Sequence, residues 1–539
     1  MPSTLPYLAV FLFVLAFYVI IAVLGISRAR KVDQFYVMER RAPWLFVAAT
    51  MSTTWLSLWT YMGGLGSTWN WGFPAVATWF IGSAWGCYFA CHYLCPPLRK
   101  GGFMTVADFM GDRYASPRVR GLAAFNISVA LIFYLLIQIM GLGMILEILA
   151  GIPYVVSATL IISILVLTVM LGGQWSVVLS DLLSFTIMVL AAIVAILCVH
   201  FFIIPIPEAI ATSAAKYPDL WKAWPTIGRM KFDYFWLASY IVSWFVLVGG
   251  SAHMINRAFI AKDIKTVYKG YGAGLTISVF IVLLLYVTFS SYVAVVPYEA
   301  MNEFPVKSSD YLVPWTIWQH WPIIAAVIFY AGMTLAGTTT AIGQLITMST
   351  AFGREFWARG IRGGTIEEGG KATDKEIMLV TRIAVIVLAA ISLGLAATRP
   401  WIIIIASSLA GALLAAAFFP TLVLGIYWKR FTRKAAELTL IIGFIFGVFS
   451  ILTWHFLKWF APFPTLYNIA VGFGVAILAG ILTKPSSNEK YVTEKVFQTI
   501  HKPEKLEVTR KDYIDLAIIA LVLFGAALLL SYWMATALP

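Results

Sequence analysis

Two groups of polar residues lie inside otherwise apolar stretches of this chain. Asp181 lies in QWSVVLSDLLSFTIMVL, and Thr338, Thr339 and Thr340 are consecutive in AGMTLAGTTTAIGQLITMST. A carboxylate in an apolar segment must face a partner, a water-filled cavity or a bound cation. Threonine hydroxyls, together with backbone carbonyls freed at a helix break, are oxygen ligands for a cation such as sodium. These residues therefore indicate a candidate cation site.

Each group also has a purely structural interpretation. Asp181 could lie near a membrane edge and hydrogen-bond a neighbouring helix, and Thr and Gly are ordinary contacts between membrane helices. Composition leaves both interpretations open. Patterns typical of an enzyme are absent, because the four cysteines form no CxxC pair and no nucleophile stands beside a base. We therefore predict that the protein is not an enzyme and has no catalytic metal.

These polar residues are exceptions in a strongly apolar chain. Hydrophobic residues make up 61% and charged residues 12% of the 539 residues. Apolar runs of about 20 residues, the length that crosses a bilayer as a helix, recur throughout. We predict an all-α polytopic membrane protein with about 14 spans, at 7–27, 44–71, 72–97, 121–150, 153–171, 174–203, 234–257, 271–296, 321–352, 377–397, 401–427, 436–458, 465–483 and 513–535.

Two of these stretches carry glycines that predict a break in the helix. The first holds Gly63-Gly64-Leu65-Gly66 and the second, from Tyr234 to Phe259, holds Gly249-Gly250-Ser251. An interrupted membrane helix normally lines a cavity inside the protein. Paired interruptions in two halves of a chain are typical of a transporter with inverted repeats.

The spans group as one, five, five and three, and an odd number of spans inverts the second block. We predict two inverted repeats, one leading helix and three trailing helices. The predicted divisions are a leading helix and loop at 1–43, a first repeat at 44–203, an external loop at 204–233, a second repeat at 234–435, and trailing helices at 436–539.

The placement of Lys and Arg predicts the orientation. Thirty of the 38 Lys and Arg residues fall in the segments that are cytoplasmic when the N-terminus is outside. This is the asymmetry that the positive-inside rule requires. The sequence thus predicts a multi-pass protein of the plasma or inner membrane with both termini external. The formal net charge of +13 needs no nucleic-acid partner, because it is spread over many membrane edges.

The longest connections differ in composition. The external segments 204–233 and 297–320 are rich in Pro and aromatic residues, which predicts short interfacial helices or a lid. The internal segment 484–512 is charged and lacks a sustained apolar periodicity. We predict that it is a solvated cytoplasmic linker to the last span.

Several motifs in order along the core resemble the sodium:solute symporter family, which includes proline, sialic acid and sugar symporters. The resemblance covers about residues 30 to 435. The motifs are VDQFYVMERRAPW (32–44), TVADFMGDRYASPRVRG (105–121), GGQWSVVLSDLLSF (172–185), HMINRAFIAKDIKTVYKG (253–270) and FFPTLVLGIYWKRFTRKAA (418–436). The resemblance implies a LeuT-like core of five plus five helices.

It also implies a sodium site beside the first break. Carried over by position, the ligands are backbone oxygens near Thr53 and Leu56, the carbonyl of Ala336, and the hydroxyls of Thr339 and Thr340. Thr338 is not expected to be a direct ligand, and Asp181 is expected to lie close by and help hold or release the ion. Family members with a second sodium use hydroxyls further along the ninth span. Ile342 and Gly343 stand there, so we expect one sodium only.

A solute pocket is expected between the two breaks and the fourth and eleventh spans. The residues expected to line it are Ser57, Trp59, Tyr61, Gln138, Tyr240, Trp244, His253 and Ser407, with Ser408 as an alternative. Proline-type members carry an aspartate where this chain has Trp55, which argues against simple proline transport. The tryptophans favour a flat apolar or cationic solute, although they could equally serve only packing.

No Lys or Arg is expected at the centre, so an acidic solute would need the positive end of a half-helix. His253 could gate the pocket, or it could only stabilise a helix end.

The function predicted from these features is secondary active symport of sodium and a small organic solute by alternating access. One alternative is proton coupling on the same fold with Asp181 titrating. Another is a transporter-like sensor, which the absence of a soluble output domain disfavours. The expected partners are a small-molecule solute, sodium and the lipid bilayer, and the chain is expected to be a monomer.

Overall fold

The computed structural model describes residues 3–26, 36–221, 226–227, 230–231, 234–292, 308–364, 371–400, 403–459, 463–504 and 509–510, together with residues 296, 300, 302, 304, 514, 517, 521 and 525. Nearly all of the described chain is helical, as the apolar runs predict. One hairpin of two-residue strands, β1 (Thr226–Ile227) and β2 (Met230–Lys231), lies in the predicted external loop.

In the part of the first half that the structure describes, there are ten helices. They are α1 Leu5–Gly25, α2 Trp44–Trp55, α3 Gly64–Trp71, α4 Phe73–Phe89, α5 Cys95–Lys100, α6 Val106–Arg113, α7 Pro117–Ala150, α8 Tyr154–Cys198, α9 Ile206–Lys216 and α10 Pro218–Trp221. The π-helical segments Trp59–Gly63, Ala90–Leu94 and Val199–Ile203 extend three of them.

The second half contains twelve helices within the described residues. They are α11 Tyr234–Gly249, α12 Ala252–Phe259, α13 Ile264–Tyr292, α14 Leu312–His320, α15 Ile323–Thr350, α16 Asp374–Ala397, α17 Ile403–Ala416, α18 Phe418–Tyr427, α19 Arg433–Leu438, α20 Phe444–Leu457, α21 Thr465–Leu482 and α22 Ser487–Ile500. The π-helical segment Ala351–Ile361 continues α15, and Thr439–Gly443 joins α19 to α20.

Nine helical stretches of the described residues are long and apolar enough to cross a membrane, or ten when the bent pair α17 and α18 counts as one span. The protein is therefore a multi-pass membrane protein. One of the nine, Tyr154–Ile203, contains two predicted spans, which meet at Gly173 in a non-helical conformation. The predicted span 513–535 falls almost wholly outside the described residues. The count of 14 and the division into repeats therefore stay predictions.

The first broken span is interrupted at a different place from the one that its glycines predict. Helix α2 ends at Trp55, Leu56 is extended with φ −78° and ψ 99°, and helical structure resumes before Gly63. The prediction of a break at Gly63–Gly66 was therefore wrong. These glycines instead permit close packing, because a Cβ on Gly66 would lie 2.1 Å from the carbonyl oxygen of Ser309.

The second break lies where the sequence predicts it. Helix α11 ends at Gly249, and α12 begins at Ala252 after an extended Ser251. A Cβ on Gly249 would meet the backbone of Gly86 at 2.7 to 3.0 Å, so this glycine also allows α11 to approach α4 closely. Both core helices that precede a break thus end inside the protein.

The connecting segments are more ordered than a set of plain loops. In the predicted external segments, α9, α10 and α14 confirm the expectation of short helices. The predicted solvated linker at 484–512 contains a helix that was not predicted, because α22 lies within it and buries Glu489, Thr493, Phe497 and Ile500. These residues recur at helical spacing, but two of the four are polar. The apolar periodicity therefore did not reveal the helix.

Helix α7 defines two ends of the bundle. We call the end near Glu147, which carries Ser309–Tyr311 and α14, the lid face. The opposite end, near Arg120, carries α6 and α22 and is called the strap face.

Candidate functional site

The end of α2 meets the middle of α15 in a cluster of oxygen atoms. The Thr339 hydroxyl lies 3.1 Å from the carbonyl oxygen of Thr53, 3.0 Å from that of Leu335 and 3.3 Å from that of Ala336. The Thr340 hydroxyl lies 3.2 Å from the same Thr53 carbonyl. The Leu335 and Ala336 carbonyls belong to the continuous helix α15, whereas the Thr53 carbonyl lies in the last turn of α2, where the helix no longer supplies an amide partner. Such a set of oxygens fits a cation.

The remaining residues of the predicted ion site lie around this cluster. Leu56 is buried at the break itself, one helical turn after Thr53. The Thr338 hydroxyl donates to the Thr334 carbonyl in its own helix at 2.8 Å and is not among the atoms that meet at Thr53. The structure thus brings together Thr53, Ala336, Thr339 and Thr340 through hydrogen bonds and places Leu56 beside them.

Asp181 adds a negative charge next to the cluster. Its carboxylate accepts a hydrogen bond from Thr50, which lies one turn before Thr53 on α2. Asp181 is fully buried, and within the described chain its Oδ1 atom has no hydrogen-bond partner. The C-terminal end of α2 contributes a partial negative charge of its own. Both features favour a cation beside the Thr53 carbonyl and the hydroxyls of Thr339 and Thr340.

Two residues of the predicted solute site accept hydrogen bonds from backbone amides at the first break. Oε1 of Gln138 accepts from the Leu58 amide at 3.2 Å, and the Ser57 hydroxyl accepts from the Trp59 amide at 3.1 Å. Buried backbone groups need such partners when the helix no longer supplies them. Gln138 and Ser57 therefore stabilise the unwound segment, and the amide nitrogen of Gln138 is left without a partner in the described chain.

A cluster of aromatic rings fills the space between the two broken spans. The Trp59 ring centroid lies 4.8 Å from that of Trp244 and 4.1 Å from that of Trp79, and Tyr240 lies 6.4 Å from Trp244. Trp79 on α4 was not predicted to be part of this site. Only contact with Trp59 and Trp244, which lie far from it in sequence, distinguishes it from other membrane tryptophans.

The other predicted solute residues divide into two groups. His253 lies near the cluster, since its ring is 5.5 Å from that of Tyr134, and its Nδ1 atom is 2.6 Å from the Ser251 hydroxyl at the second break. Tyr61 instead donates to the Met188 carbonyl at 2.8 Å and lies near Phe329, so the structure does not bring it to the aromatic cluster.

Ser407 is buried on α17 beside Ser408, whose carbonyl accepts from Ser243 on α11 at 2.5 Å. The predicted residues from Ser57 to Ser407 are all at most 1% exposed. The site is therefore closed to solvent on both sides in this conformation.

One central residue contradicts the expectation from the sequence. Arg257 is the last residue of the predicted span 234–257, and no Arg or Lys was expected at the centre. It lies on α12 instead, is only 2% exposed, and its Nε atom donates to the Thr54 hydroxyl on α2 at 3.0 Å. Its position at the end of an apolar run resembles a membrane edge in sequence. Only the short half-helix after the break places it inside.

The lid face is closed by backbone packing and a few polar contacts. Asp310 is fully buried, and its Oδ2 atom accepts from the Ile403 amide at 3.1 Å. Burial raises the pKa of the Asp310 carboxyl to about 6, against the hydrogen bonds from Ile403 and Ser308 that lower it. Arg399 pairs with Glu147 at 3.0 Å close by.

The strap face is closed by a network of buried charges. Glu355 pairs with Arg120 at 3.1 Å and Arg354 at 2.7 Å, and Asp108 contacts the same two arginines. Arg359 also pairs with Asp108. Burial alone would raise the pKa of Asp108, but these arginines hold it well below its usual value.

Helix α22 packs over this network. Arg113 of α6 donates to the Thr493 hydroxyl at 2.7 Å, and its guanidinium carbon lies 5.0 Å from the Phe497 ring centroid. The Glu489 carboxylate accepts from the Arg433 amide at 2.6 Å. The helix thus joins α6 to the start of α19.

Several known proteins are similar in sequence to this chain. A profile of the sodium:solute symporter family matches residues 35–443, about three quarters of the chain. The sodium/pantothenate symporter of Haemophilus influenzae is 24% identical over 455 residues, which cover 83% of this chain and 89% of that protein. The osmoregulated proline transporter of Bacillus subtilis is 25% identical over 471 residues, which cover 84% and 89%.

Two solved structures share the fold. A substrate-bound, outward-open Na⁺-coupled sialic acid symporter has a TM-score of 0.69 and 18% sequence identity, over 89% of this chain and 97% of that one. A nucleobase-cation-symport-1 family transporter in a closed conformation has a TM-score of 0.52 and 12% identity, over 87% and 96%. At these identities the likeness concerns the fold alone.

Proposed function

Because the chain belongs to the sodium:solute symporter family, we propose that it moves a small organic solute across the membrane together with sodium, held by Thr53, Leu56, Ala336, Thr339 and Thr340. The lid face is the outer face and the strap face is cytoplasmic in this proposal. The Lys and Arg bias of the segments 98–120, 353–376, 428–435 and 484–512 supports that orientation, which leaves both termini outside.

The observation that carries the proposal is the Thr53 carbonyl at the broken end of α2, which lies within hydrogen-bonding distance of the hydroxyls of both Thr339 and Thr340. One hydroxyl lies within 3.3 Å of three carbonyl oxygens, and Thr340 lies near one of the same three. A sodium ion would satisfy these oxygens together, and Asp181 would compensate its charge. Sodium sites built from freed carbonyls at a broken helix are a recurring feature of transporters with inverted repeats.

Sodium at this place would join two parts of the protein. Thr53 lies on α2, whose broken end faces the aromatic cluster, while Ala336, Thr339 and Thr340 lie on α15. Binding of the ion would hold these helices together and fix the unwound residues Ser57 and Leu58. Because coupling is reciprocal, a solute bound at the same break would raise the affinity for sodium.

The solute site proposed here lies between Ser57, Trp59, Gln138, Tyr240, Trp244, His253 and Ser407, and Tyr61 is the weakest member of the set. The Trp59 indole nitrogen and the Gln138 amide nitrogen have no partner in the described chain. Both atoms can only donate hydrogen bonds. A solute with oxygen acceptors therefore fits better than a purely cationic one. The pantothenate and proline of the relatives' names have such oxygens.

The ion site is tested with Thr339→Ala and Thr340→Ala in purified full-length protein. The melting temperature is measured while NaCl replaces N-methyl-D-glucamine chloride at constant ionic strength. Each variant is expected to require about tenfold more sodium for half-maximal stabilisation, since each removes a ligand oxygen. Thr338→Ala is the matched control, because its hydroxyl bonds within α15. Unchanged sodium affinity in the Thr339/Thr340 double variant would refute the assignment.

Proton coupling is the second candidate, and the unpaired Oδ1 atom of Asp181 is the observation that favours it. A buried carboxylate with a free oxygen is a suitable proton carrier in a membrane protein. Uptake into proteoliposomes driven by a pH gradient in the absence of sodium would select this mechanism. Uptake that requires sodium and persists in Asp181→Asn would exclude it.

A further inference from the structure

The last turns of α2 contact three different partners. Thr50 donates to Asp181, Thr53 accepts from Thr339 and Thr340, and Thr54 accepts from Arg257. A carboxylate, the proposed ion ligands and a guanidinium thus converge on five consecutive positions of one helix end. The arginine comes from α12, the half-helix that follows the second break.

Both charged groups are buried and only partly paired. Asp181 is 0% and Arg257 is 2% exposed. Within the described residues, Oδ1 of Asp181 and Nη2 of Arg257 have no hydrogen-bond partner, and no ion pair within 4.0 Å joins the two side chains. Their hydrogen-bond partners Thr50 and Thr54 lie one helical turn apart on α2, which places the two charges at the same helix end. A buried charge without a partner is destabilising, so pairing either group with an opposite charge would stabilise the protein.

The arginine occupies a space that a glycine provides. A Cβ built on Gly343 of α15 would lie 2.4 Å from Nη2 of Arg257. Gly343 is one turn beyond Thr339 and Thr340 on the same helix. The guanidinium therefore lies against α15, near the proposed ion ligands, and any larger residue at 343 would displace it.

We propose that Arg257 is a positioning residue of the ion cycle, a built-in cation that competes with the transported cation for the charge of Asp181. The proposal rests on the proposed sodium site. When the threonine site is empty, Arg257 neutralises Asp181 and draws α12 towards the end of α2. When a cation binds, Asp181 interacts with the cation, and the attraction between Asp181 and Arg257 that holds α12 becomes weaker. The ion site would thus act directly on the second broken span, whose other end borders the solute cluster.

This role differs from simple anchoring of α12 by a hydrogen bond to Thr54. An anchor would lower stability and transport when removed but would leave the affinity for sodium unchanged or weaker. If Arg257 instead competes with sodium, its removal should have the opposite effect on the affinity for sodium. Its loss leaves Asp181 uncompensated, and sodium must then bind more tightly.

The experiment measures the sodium concentration that gives half-maximal thermal stabilisation of the purified full-length protein. Arg257→Gln is expected to lower this concentration about tenfold, an effect of the size that one nearby charge exerts in a protein. Arg257→Lys keeps the charge and should stay close to the original protein. Gly343→Ala displaces the guanidinium and is expected to shift affinity in the same direction by a smaller factor.

Gly272→Ala is the matched control, because a Cβ at Gly272 meets no atom within 4 Å. A second control is Asp181→Asn combined with Arg257→Gln, in which the gain in affinity should disappear. Unchanged or weaker sodium affinity in Arg257→Gln, with sodium stabilisation intact in the original protein, would overturn the role of Arg257 alone. Absence of sodium stabilisation in the original protein would overturn the proposed function as well.

Discussion

The two faces of the closed protein are sealed by different chemistry. At the lid face, Gly66 packs against the backbone of Ser309, and one ion pair among the described residues, Glu147 with Arg399, lies beside the buried Asp310. At the strap face, two carboxylates and two arginines are buried together, a third arginine pairs with Asp108 at their edge, and α22 packs over them. The lid therefore depends mainly on packing, and the strap face on charge.

This difference has a consequence for opening. Separating a packed backbone surface exposes little charge, whereas separating the strap-face network leaves buried charges without partners. Breaking a buried ion pair by removing one partner costs about 3–5 kcal/mol. We therefore expect the lid face to open more easily than the strap face.

The largest expected effect is that of Glu355→Gln. Glu355 is 0% exposed and pairs with Arg120 and Arg354, so its neutralisation should cost about 3–5 kcal/mol. The comparable change at the lid face, Arg399→Gln, should cost less, because the two side chains of that pair are 14% and 15% exposed, against 8% or less for Glu355 and its two arginines. Melting temperatures of the two variants under the same conditions test the contrast. Equal losses would mean that charge does not distinguish the two faces.

The second effect concerns pH at the lid face. Burial raises the pKa of Asp310 to about 6, against about 3.9 for an exposed aspartate. The closed lid face binds the Asp310 proton more tightly than the open one. Protonation therefore stabilises the closed lid face fully below pH about 4, and this stabilisation is lost as the pH rises through 6. The difference of about two pKa units corresponds to about 3 kcal/mol.

Labelling of Ser309→Cys by an impermeant thiol reagent measures this opening, since Ser309 is buried when the lid is closed and all four natural cysteines are buried. The rate, corrected for the pH dependence of the thiolate, should rise between pH 4 and 7. In Asp310→Asn the corrected rate should be flat. The same rise in the Asp310→Asn background would show that Asp310 is not the group responsible for the pH response.

The smallest effect is expected at the start of α22. Ser486 and Glu489 form a reciprocal pair of hydrogen bonds that caps the helix. Loss of the Ser486 hydroxyl in Ser486→Ala should cost about 1 kcal/mol. Amide hydrogen exchange in α22 should be faster in Ser486→Ala than in Ser487→Ala, which changes the next residue and not the capping pair. No difference between the two variants would indicate that contacts with α6 alone hold the helix.

Much of the core could be predicted from the sequence. The apolar runs predict the helices and the division between two spans at Gly173, and the break at Gly249–Ser251 lies where glycines predict it. The threonine cluster also meets Thr53 as the family resemblance implies. These features depend on local composition or on a motif, which a single segment carries by itself.

Three features could not be read in this way. The first break lies at Leu56–Leu58 because Gln138, on a different helix, supplies a partner for the freed Leu58 amide. Helix α22 was missed because Glu489 and Thr493 occupy half of its buried face. Arg257 was placed at a membrane edge because nothing in its own segment reveals that Thr54 and Gly343 lie around it.

The sequence by itself therefore determined the class of protein, the positions of its apolar segments and the residue types available for a cation. Hydrophobicity and charge are properties of each segment, and the membrane selects on them directly. The tertiary structure alone decided where a helix could be left unwound and which buried charges face each other. Both depend on hydrogen-bond partners that lie far apart in the chain and meet only after packing.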